Sequence, residues 1–212
     1  MPVNTDFDAS LQRSPVGSHT LLLQTRYPVV ATSRLRLRPC SLLDISSLIS
    51  AVAAHRIAAA SLSVPRPFDA RQAQYWIESH PLEWRKRCAV HWAVSALDND
   101  RFCGYVGLQG IELATGHANL SVWIADRLAR KELAFEAAQA ALAFAFTSLQ
   151  LQTVHARVSR ANPMMARVLR RIGMKSDTAT LQTQPRGATA QVLRWHMSRG
   201  TWATSRQDPP AH

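Results

Sequence analysis

The stretch NPMMARVLRRIGM, residues 162–174, carries the clearest structural signal in the chain. Asn162 can accept a hydrogen bond from the first turn of a helix, and Pro163 suits the first helical position because an N–H there would be unpaired anyway. Gly173 is the residue type at which helices commonly end. The stretch therefore predicts a helix between Asn162 and Gly173, with an apolar face formed by Met165, Val168, Leu169 and Ile172.

The segments around this helix alternate between strand and helix patterns. Leucine alternates with arginine over 34–38, which predicts a strand stopped by Pro39. Helices are predicted over 42–57, 69–87 and 131–148, the second interrupted near Pro81. Strands are predicted over 89–97, 102–112, 117–125, 153–159, 174–181 and 191–198, the first two joined as a hairpin by the turn 98–100.

The order of these elements predicts a single α/β (α+β) domain over residues 31–199, without internal repeats. Residues 1–30 mix polar residues, proline and glycine with no sustained period, so we predict a loosely ordered N-terminal tail. Residues 200–212 end in Asp-Pro-Pro and are predicted to be a C-terminal tail of the same kind.

The composition indicates a folded protein with an anionic ligand. Of the 212 residues 47% are hydrophobic, and 25 Lys+Arg against 14 Asp+Glu give a formal net charge of +11. This balance excludes an acidic disordered chain. Because only Lys86, Lys131 and Lys175 are lysines, the excess of arginine is also typical of a biased genome.

The remaining short signals are negative. Cys40, Cys88 and Cys103 are isolated, so they predict neither a disulfide framework nor a CxxC site. The eight histidines contain no HExxH pattern, and we expect no metal. The absence of a secretory leader and of an apolar run of about 18–20 residues favours a cytoplasmic protein without a membrane partner.

Three stretches resemble the GCN5-related N-acetyltransferase (GNAT) superfamily, and within it the RimJ/RimL-like branch. They are TSRLRLRP at 32–39 with Asp44 following, GYVGL at 104–108, and the 162–174 stretch. The resemblance covers about residues 32–199. It implies a mixed, mostly antiparallel central sheet of about six to seven strands with helices on both faces.

The resemblance also implies a reaction and its partners. The donor would be acetyl-CoA and the acceptor a primary amine, either a protein N-terminus or a small molecule, in a monomer or homodimer. Two central strands of the family splay apart, and the pantetheine arm of the cofactor bonds one of them, here at Val122, Trp123 and Ile124. Asn162 would bond the same arm, with Met165 and Arg167 beside it.

The pyrophosphate loop of the family, [Q/R]-x-x-G-x-[G/A], corresponds here to RLARKELA at 127–134. Arg127 fits, but Arg130 and Glu132 replace glycines that let the backbone approach phosphate closely. Losing two or three such contacts, at about 1.5–3 kcal/mol each, would reduce affinity roughly 100-fold or more. The alternative is a simple helix start with Glu132 in its first turn. The candidate loop contacts are Arg127, Arg130, Lys131, Glu132, Leu133 and Ala134.

The acid and base of the resembled branch are also replaced. Met165 stands in place of a serine and Leu169 in place of a tyrosine, and neither side chain donates a proton. Asn119 replaces a glutamate. Glu112 and His117 are the candidate catalytic residues, although each also suits a solvated turn. We expect His155, Arg157 and Ser159 to form a solvent-facing side of their strand.

Three functions follow from these patterns. The first is an acetyl-CoA-dependent N-acetyltransferase. The second is a catalytically impaired binding protein with the same fold, because the loop glycines are missing. The third is a basic ribosome- or RNA-associated protein, because residues 157–175 hold six cations and no acid. Nucleic acid ranks last, since no recognised nucleic-acid motif accompanies the charge.

Overall fold

A computed structural model describes residues 26–55, 68–125, 130–160, 162–177, 180–183 and 189–207. The strands are β1 Val30–Ala31, β2 Leu35–Pro39, β3 Ala89–Ala96, β4 Phe102–Glu112, β5 His117–Ile124, β6 Thr153–Ser159, β7 Lys175–Ser176, β8 Thr180–Thr183 and β9 Thr189–Ser198. The helices are α1 Ile45–His55, which follows a 3-10 turn at Leu42–Asp44, α2 Ala70–Arg85, α3 Arg130–Thr147, α4 Pro163–Ile172 and α5 Arg199–Gln207.

Within those residues the strands form one nine-stranded sheet. Its order is β1-β2-β3-β4-β5-β6-β9-β7, and β8 pairs with the free part of β9. Among the described strands, only β5 and β6 pair in parallel; the other pairs are antiparallel. The predicted α+β domain with a mostly antiparallel sheet is confirmed. The strand number exceeds six to seven because β1 and β7 are two-residue strands with little sequence signal.

Helices cover both faces of the sheet. Val106 and Leu108 of β4 belong to the larger core, which lies beneath α3 and α4. Tyr105, one position away, points to the other face and packs with α1 and α2 in a smaller core. Because strand side chains alternate between faces, β4 divides its residues between the two layers.

Two glycines of the GYVGL stretch are explained by close contacts of β4. A Cβ on Gly104 would lie 2.3 Å from the carbonyl oxygen of Trp123 on β5. A Cβ on Gly107 would lie 2.3 Å from the Tyr105 hydroxyl oxygen, because that ring runs along the strand over Gly107. Both positions therefore need a residue without a side chain.

The predicted interruption of the second helix at Pro81 is wrong. Helix α2 continues to Arg85, with Pro81 exposed on its outer side. Ile77, His80 and Trp84 are buried on the inner side, before and after the proline. Burial of this continuous apolar face outweighs the loss of one helical hydrogen bond.

Residues at the inner ends of both predicted tails pack against the domain. Tyr27 packs against Trp84 with ring centroids 6.0 Å apart, and its hydroxyl donates to the His91 carbonyl oxygen at 2.8 Å. At the other end, residues 199–207 form α5 instead of a tail. Trp202 anchors this helix on Phe146 of α3, at 5.3 Å between ring centroids. Residues 1–25 and 208–212 lie outside the described residues.

Helix α4 is confirmed as predicted. The Asn162 side chain accepts a hydrogen bond from the Met165 N–H at 3.1 Å, and Pro163 is the first helical residue. Gly173 ends the helix in the left-handed conformation, at φ +96°. Helix α4 follows β6 after three residues and packs its buried face against the sheet.

The arginine-rich strand β2 is joined to the following turn by a partly buried ion pair. Arg38 donates two hydrogen bonds to the Asp44 carboxylate, at 2.8 and 2.9 Å, and Asp44 is only 4% exposed. The same carboxylate accepts from the Ser41 backbone N–H at 2.8 Å. Burial alone would raise the pKa of Asp44, but the bonds from Arg38 and Ser41 outweigh it and lower the pKa.

A histidine of α2 is buried against the sheet. His80 is 2% exposed, and neither ring nitrogen has a partner among the described residues. Its ring stacks on His91, 4.1 Å between centroids, and meets Trp76 edge-on at 4.5 Å. Burial, followed by the neighbouring His91, lowers the pKa of His80 to about 3.

This burial predicts an acid-sensitive stability. Between pH 6.5 and about 3 the unfolded chain protonates His80 and the folded chain does not, so stability falls as pH falls. When the pH falls from 5.5 to 4.5, the free energy of unfolding of a His80→Phe variant should therefore fall by about 1 kcal/mol less than that of the wild type. Urea unfolding at several pH values measures both curves. Parallel curves would contradict the prediction, and a His80→Leu variant repeats the test should phenylalanine not fit.

No helix among the described residues is long and apolar enough to cross a membrane.

Candidate active site

The parallel strands β5 and β6 separate halfway along their length. They pair from His117 opposite Thr153 to Leu120 opposite Ala156, and the register ends there. Beyond that pair, β5 continues to Ile124 and β6 to Ser159 with no pairing between them. The sheet therefore opens into a wedge-shaped gap at its centre, which we call the β5–β6 gap.

A cavity of about 290 Å³ lies where the β5–β6 gap begins. It is lined by Asn119, His155, Ala156, Arg157 and Arg194. Asn119 and His155 stand directly opposite each other in the last part of the β5–β6 register.

The cavity lies on one face of the sheet. The alternate residues of these strands, among them Leu120 and Trp195, point into the core beneath α3 and α4. The polar side chains that line the cavity therefore project from the opposite face.

Two histidines form a pair beside this cavity. The rings of His117 and His155 stack with centroids 5.5 Å apart, and His117 Nδ1 lies 3.3 Å from His155 Nε2. Burial, followed by the charge of His117, lowers the pKa of His155, so its imidazole is neutral at pH 7. In the tautomer in which the His155 Nε2–H donates a hydrogen bond to His117 Nδ1, the Nδ1 atom of His155 keeps a lone pair that can accept a proton.

The two predicted catalytic residues lie at the paired end of β5, away from the β5–β6 gap. Glu112 ends β4 opposite His117, and its carboxylate accepts from the Thr115 hydroxyl at 2.9 Å. His117 is the first residue of β5, three positions before the gap. His117 thus reaches the cavity through His155, whereas Glu112 is bonded within its own turn.

The residues predicted to bond pantetheine lie along the open edge of β5. Val122 is half-buried, and Trp123 and Ile124 are buried at 6% and 2% exposure. Trp123 stacks on Tyr105, 5.7 Å between ring centroids, and its indole N–H has no partner among the described residues. What these residues can offer to the β5–β6 gap is therefore their backbone.

The predicted pyrophosphate contacts surround the first turn of α3. Arg127 lies outside the described residues, and Arg130 and Lys131 open the helix. Leu133 and Ala134 are buried in the core.

Glu132 does not extend toward a ligand from this first turn. It accepts from Arg171 of α4 at 2.7 and 2.9 Å. The Arg171 guanidinium also lies 4.1 Å above the Phe135 ring. The negative charge that the sequence places in the loop is thus neutralised by an ion pair that joins α3 to α4.

The N-terminus of α4 holds the remaining predicted contacts. Asn162 caps the helix, Met165 is buried in the core, and Arg167 is exposed. Leu169 is buried at 1% exposure. Positions 165 and 169 therefore supply apolar packing, and no proton donor for a leaving thiolate comes from either of them.

The basic segment 157–175 does not form one continuous surface. Arg157 lines the cavity, whereas α4 carries its arginines on the opposite face of the sheet. Arg170 lies 5.9 Å above the Trp195 ring, and Arg171 is paired with Glu132. This division does not favour binding to one long polyanion.

The sequence-based candidates do not include His155 and Arg194, which the structure places at the cavity. The alternation of β6 shows that His155 and Arg157 share a face, but it does not show which face is uncovered. The relevant partners, Asn119 and Arg194, lie 36 and 37 residues away along the chain. The one sequence signal is the run of three polar side chains at alternate positions 155, 157 and 159, which suits a solvent-facing strand equally well.

Comparisons with known proteins agree with this geometry. The family model of the acetyltransferase (GNAT) domain matches residues 34–175. No curated protein sequence matches the chain.

Solved structures share the fold at low sequence identity. The spermidine N-acetyltransferase of Vibrio cholerae, in complex with CoA and spermine, aligns with a TM-score of 0.68 and 18% identity, over 81% of this chain and 99% of its own. The ribosomal L7/L12 α-N-protein acetyltransferase RimL, in complex with CoA, aligns with a TM-score of 0.68 and 12% identity, over 81% and 98%. A second Vibrio cholerae protein, provisionally named a ribosomal-protein-serine acetyltransferase, gives 0.67 and 20%, over 81% and 97%. With the splayed strands and the matched family model, the chain belongs to the GNAT acetyltransferase family.

Proposed function

We propose that this protein is an acetyl-CoA-dependent N-acetyltransferase acting on a primary amine, either a protein N-terminus or a small molecule. The observation that carries the proposal is the β5–β6 gap, which opens at Leu120 and Ala156 directly beside the cavity. A thioester held in the gap would face an amine held in the cavity. In this arrangement binding supplies proximity, which is a large part of the catalysis of acyl transfer.

The protein backbone supplies the cofactor side of the proposed site. Past Leu120 the edge of β5 that faces the gap pairs with none of the described strands, so its alternate N–H and C=O groups can bond an extended pantetheine arm. The N-terminus of α3 presents unpaired N–H groups and the positive end of a helix dipole, which suit phosphate. Acetyl-CoA supplies the activated acetyl group.

His155 supplies the acceptor side with a base. Its neutral imidazole lines the cavity, and an attacking amine must lose a proton as the amide forms. In this role His155 replaces Glu112, which is bonded within its turn, and His117 becomes the residue that orients His155. Positions 165 and 169 carry no acid, so we assign the protonation of the thiolate to solvent.

Acetyl-CoA binding tests the proposal directly. Calorimetric titration of the full chain should show one site, and an Arg130→Gly/Glu132→Gly variant should bind about 10- to 100-fold more tightly. Two effects act together: the backbone of the first turn gains freedom to approach phosphate, and the carboxylate is removed.

A Glu132→Gln variant serves as the matched control. It removes the charge and the ion pair with Arg171 while keeping the side chain. A gain from this variant equal to that of the double glycine variant would assign the defect to charge alone. Failure of the native chain to bind acetyl-CoA would contradict the proposal.

A second candidate function is a binding protein with impaired catalysis. The Glu132–Arg171 ion pair favours it, because it ties the first turn of α3, which would hold the cofactor phosphates, to the last turn of α4. In this alternative only the double glycine variant binds acetyl-CoA. The titration above therefore separates the two functions.

A further inference from the structure

Two arginines face each other across neighbouring strands at the cavity. Arg157 of β6 stands directly opposite Arg194 of β9, and both side chains are exposed cavity walls. Like charges directly opposite on adjacent strands destabilise a sheet. The Arg157–Arg194 pair therefore carries a cost that an anion between the two guanidinium groups would remove.

Several other arginines of the described chain have carboxylate partners. Arg34 bonds Glu136, Arg38 bonds Asp44 and Arg171 bonds Glu132. No ion pair of Arg157 or Arg194 occurs among the described residues. The nearest acidic residue along the chain to the β7–β9 pairing is Asp177, which directly follows β7. Asp177 donates its backbone N–H to the Arg194 carbonyl oxygen, but its carboxylate lies 3.2 Å from His196.

The phosphates of the cofactor do not account for the pair. The N-termini of α3 and α4 belong to the helix layer on one face of the sheet, and the cavity opens on the other. Of the other residues that line the cavity, Asn119 and Ala156 carry no charge, and His155 is uncharged at pH 7. The two guanidinium groups therefore dominate the field on the acceptor side.

We propose that the acceptor carries a carboxylate near the reacting amine and that Arg157 and Arg194 bind this carboxylate. The inference rests on the proposed function and narrows its substrate class. His155 and Arg157 share a face of β6 and are two positions apart, which is about 7 Å along an extended strand. That separation matches an α-amine followed by an aspartate or glutamate side chain at the start of a peptide.

The same electrostatics exclude polyamines as good acceptors. A guanidinium group binds carboxylate through two parallel hydrogen bonds, so two unpaired arginines select strongly for that group. A polycation would meet like charge at the same place. A site for spermine requires negative charge, whereas this cavity carries the positive charges of Arg157 and Arg194.

The test compares two peptides that differ in one charge. The probes are Ser-Asp-Ala-Ala-amide and Ser-Asn-Ala-Ala-amide, whose amidated ends leave the aspartate as the only carboxylate. Binding to the full chain is measured by calorimetry in the presence of CoA, and acetyl transfer is followed by thiol release. We expect at least a 10-fold preference for the aspartyl peptide in binding and in kcat/KM, and no measurable turnover of spermidine.

Charge-neutral variants assign the preference to the two arginines. Arg157→Gln/Arg194→Gln should reduce the ratio between the two peptides to about one. Arg85→Gln, which removes the same charge from the exposed end of α2, should keep the ratio. The inference would be overturned if the native chain bound the two peptides equally or if the double variant kept the ratio. It would also be overturned if RNA competed with the aspartyl peptide for this site in the calorimetric measurement.

Binding and turnover separate this inference from the proposed function. Selective binding of the aspartyl peptide without acetyl transfer would support the arginine site and contradict the acetyltransferase proposal. Turnover of both peptides at the same kcat/KM would do the reverse.

Discussion

The His155→Gln variant is expected to lose at least about 100-fold in kcat for acetyl transfer while it retains its affinity for acetyl-CoA. Glutamine keeps a polar side chain at the cavity but cannot accept the amine proton. Removing a positioned general base typically costs about 100- to 10,000-fold. The measurement is steady-state thiol release at saturating acetyl-CoA, together with calorimetric binding.

The pH profile distinguishes a base from a structural residue. The pKa of His155 is lowered below its usual 6.5, so kcat of the wild type should fall as pH falls through a value below 6.5. That limb should be missing in His155→Gln. The matched control is His196→Gln on β9, which stands opposite His155 on the same face but bonds Asp177. A loss in His196→Gln equal to that in His155→Gln would contradict the assignment.

The Asp44→Ala variant is expected to lower the free energy of unfolding by about 3 kcal/mol. Asp44 is buried, and its removal leaves the Arg38 guanidinium, which is only 17% exposed, without its two-bond partner. Breaking a buried ion pair in this way costs about 3–5 kcal/mol. The remaining contact between Arg38 and Asp100 places the expected value at the lower end.

Asp100→Asn is the control, because it removes the charge of the other carboxylate that bonds Arg38, while asparagine tolerates the left-handed backbone of this position at φ +54°. Asp100 is 49% exposed, so its ion pair with Arg38 is worth less than about 1 kcal/mol. Urea unfolding of the three proteins at pH 7 gives the comparison. Equal losses in the two variants would show that burial does not set the strength of this network.

Local signals predicted much of the fold. The cap, the proline, the apolar period and the glycine of α4 all lie within thirteen residues, and the observed helix matches them. The Asp44 position was visible in the sequence only as part of a resemblance, and the structure explains it through Arg38 and Ser41. The continuity of α2 through Pro81 was not predictable, because it depends on burial against residues distant in sequence.

The candidate site was less predictable, because it is built from residues far apart in the chain. The opposition of Asn119 and His155 depends on the β5–β6 register, and the opposition of Arg157 and Arg194 depends on β9 returning beside β6. Strand alternation assigns residues to faces but not faces to solvent or ligand. In the same way, the ion pair between Glu132 and Arg171 joins two helices, so the sequence pattern of either helix alone does not predict it.

The early end of the β5–β6 register has a consequence for dynamics. Alternate amides of β5 past Leu120 bond no neighbouring strand, so they should exchange with deuterium faster than those of the paired half. A bound pantetheine arm would act as a short substitute strand and slow that exchange. The cofactor would then be part of the sheet's hydrogen bonding, and ligand binding would stiffen the centre of the domain rather than only its surface.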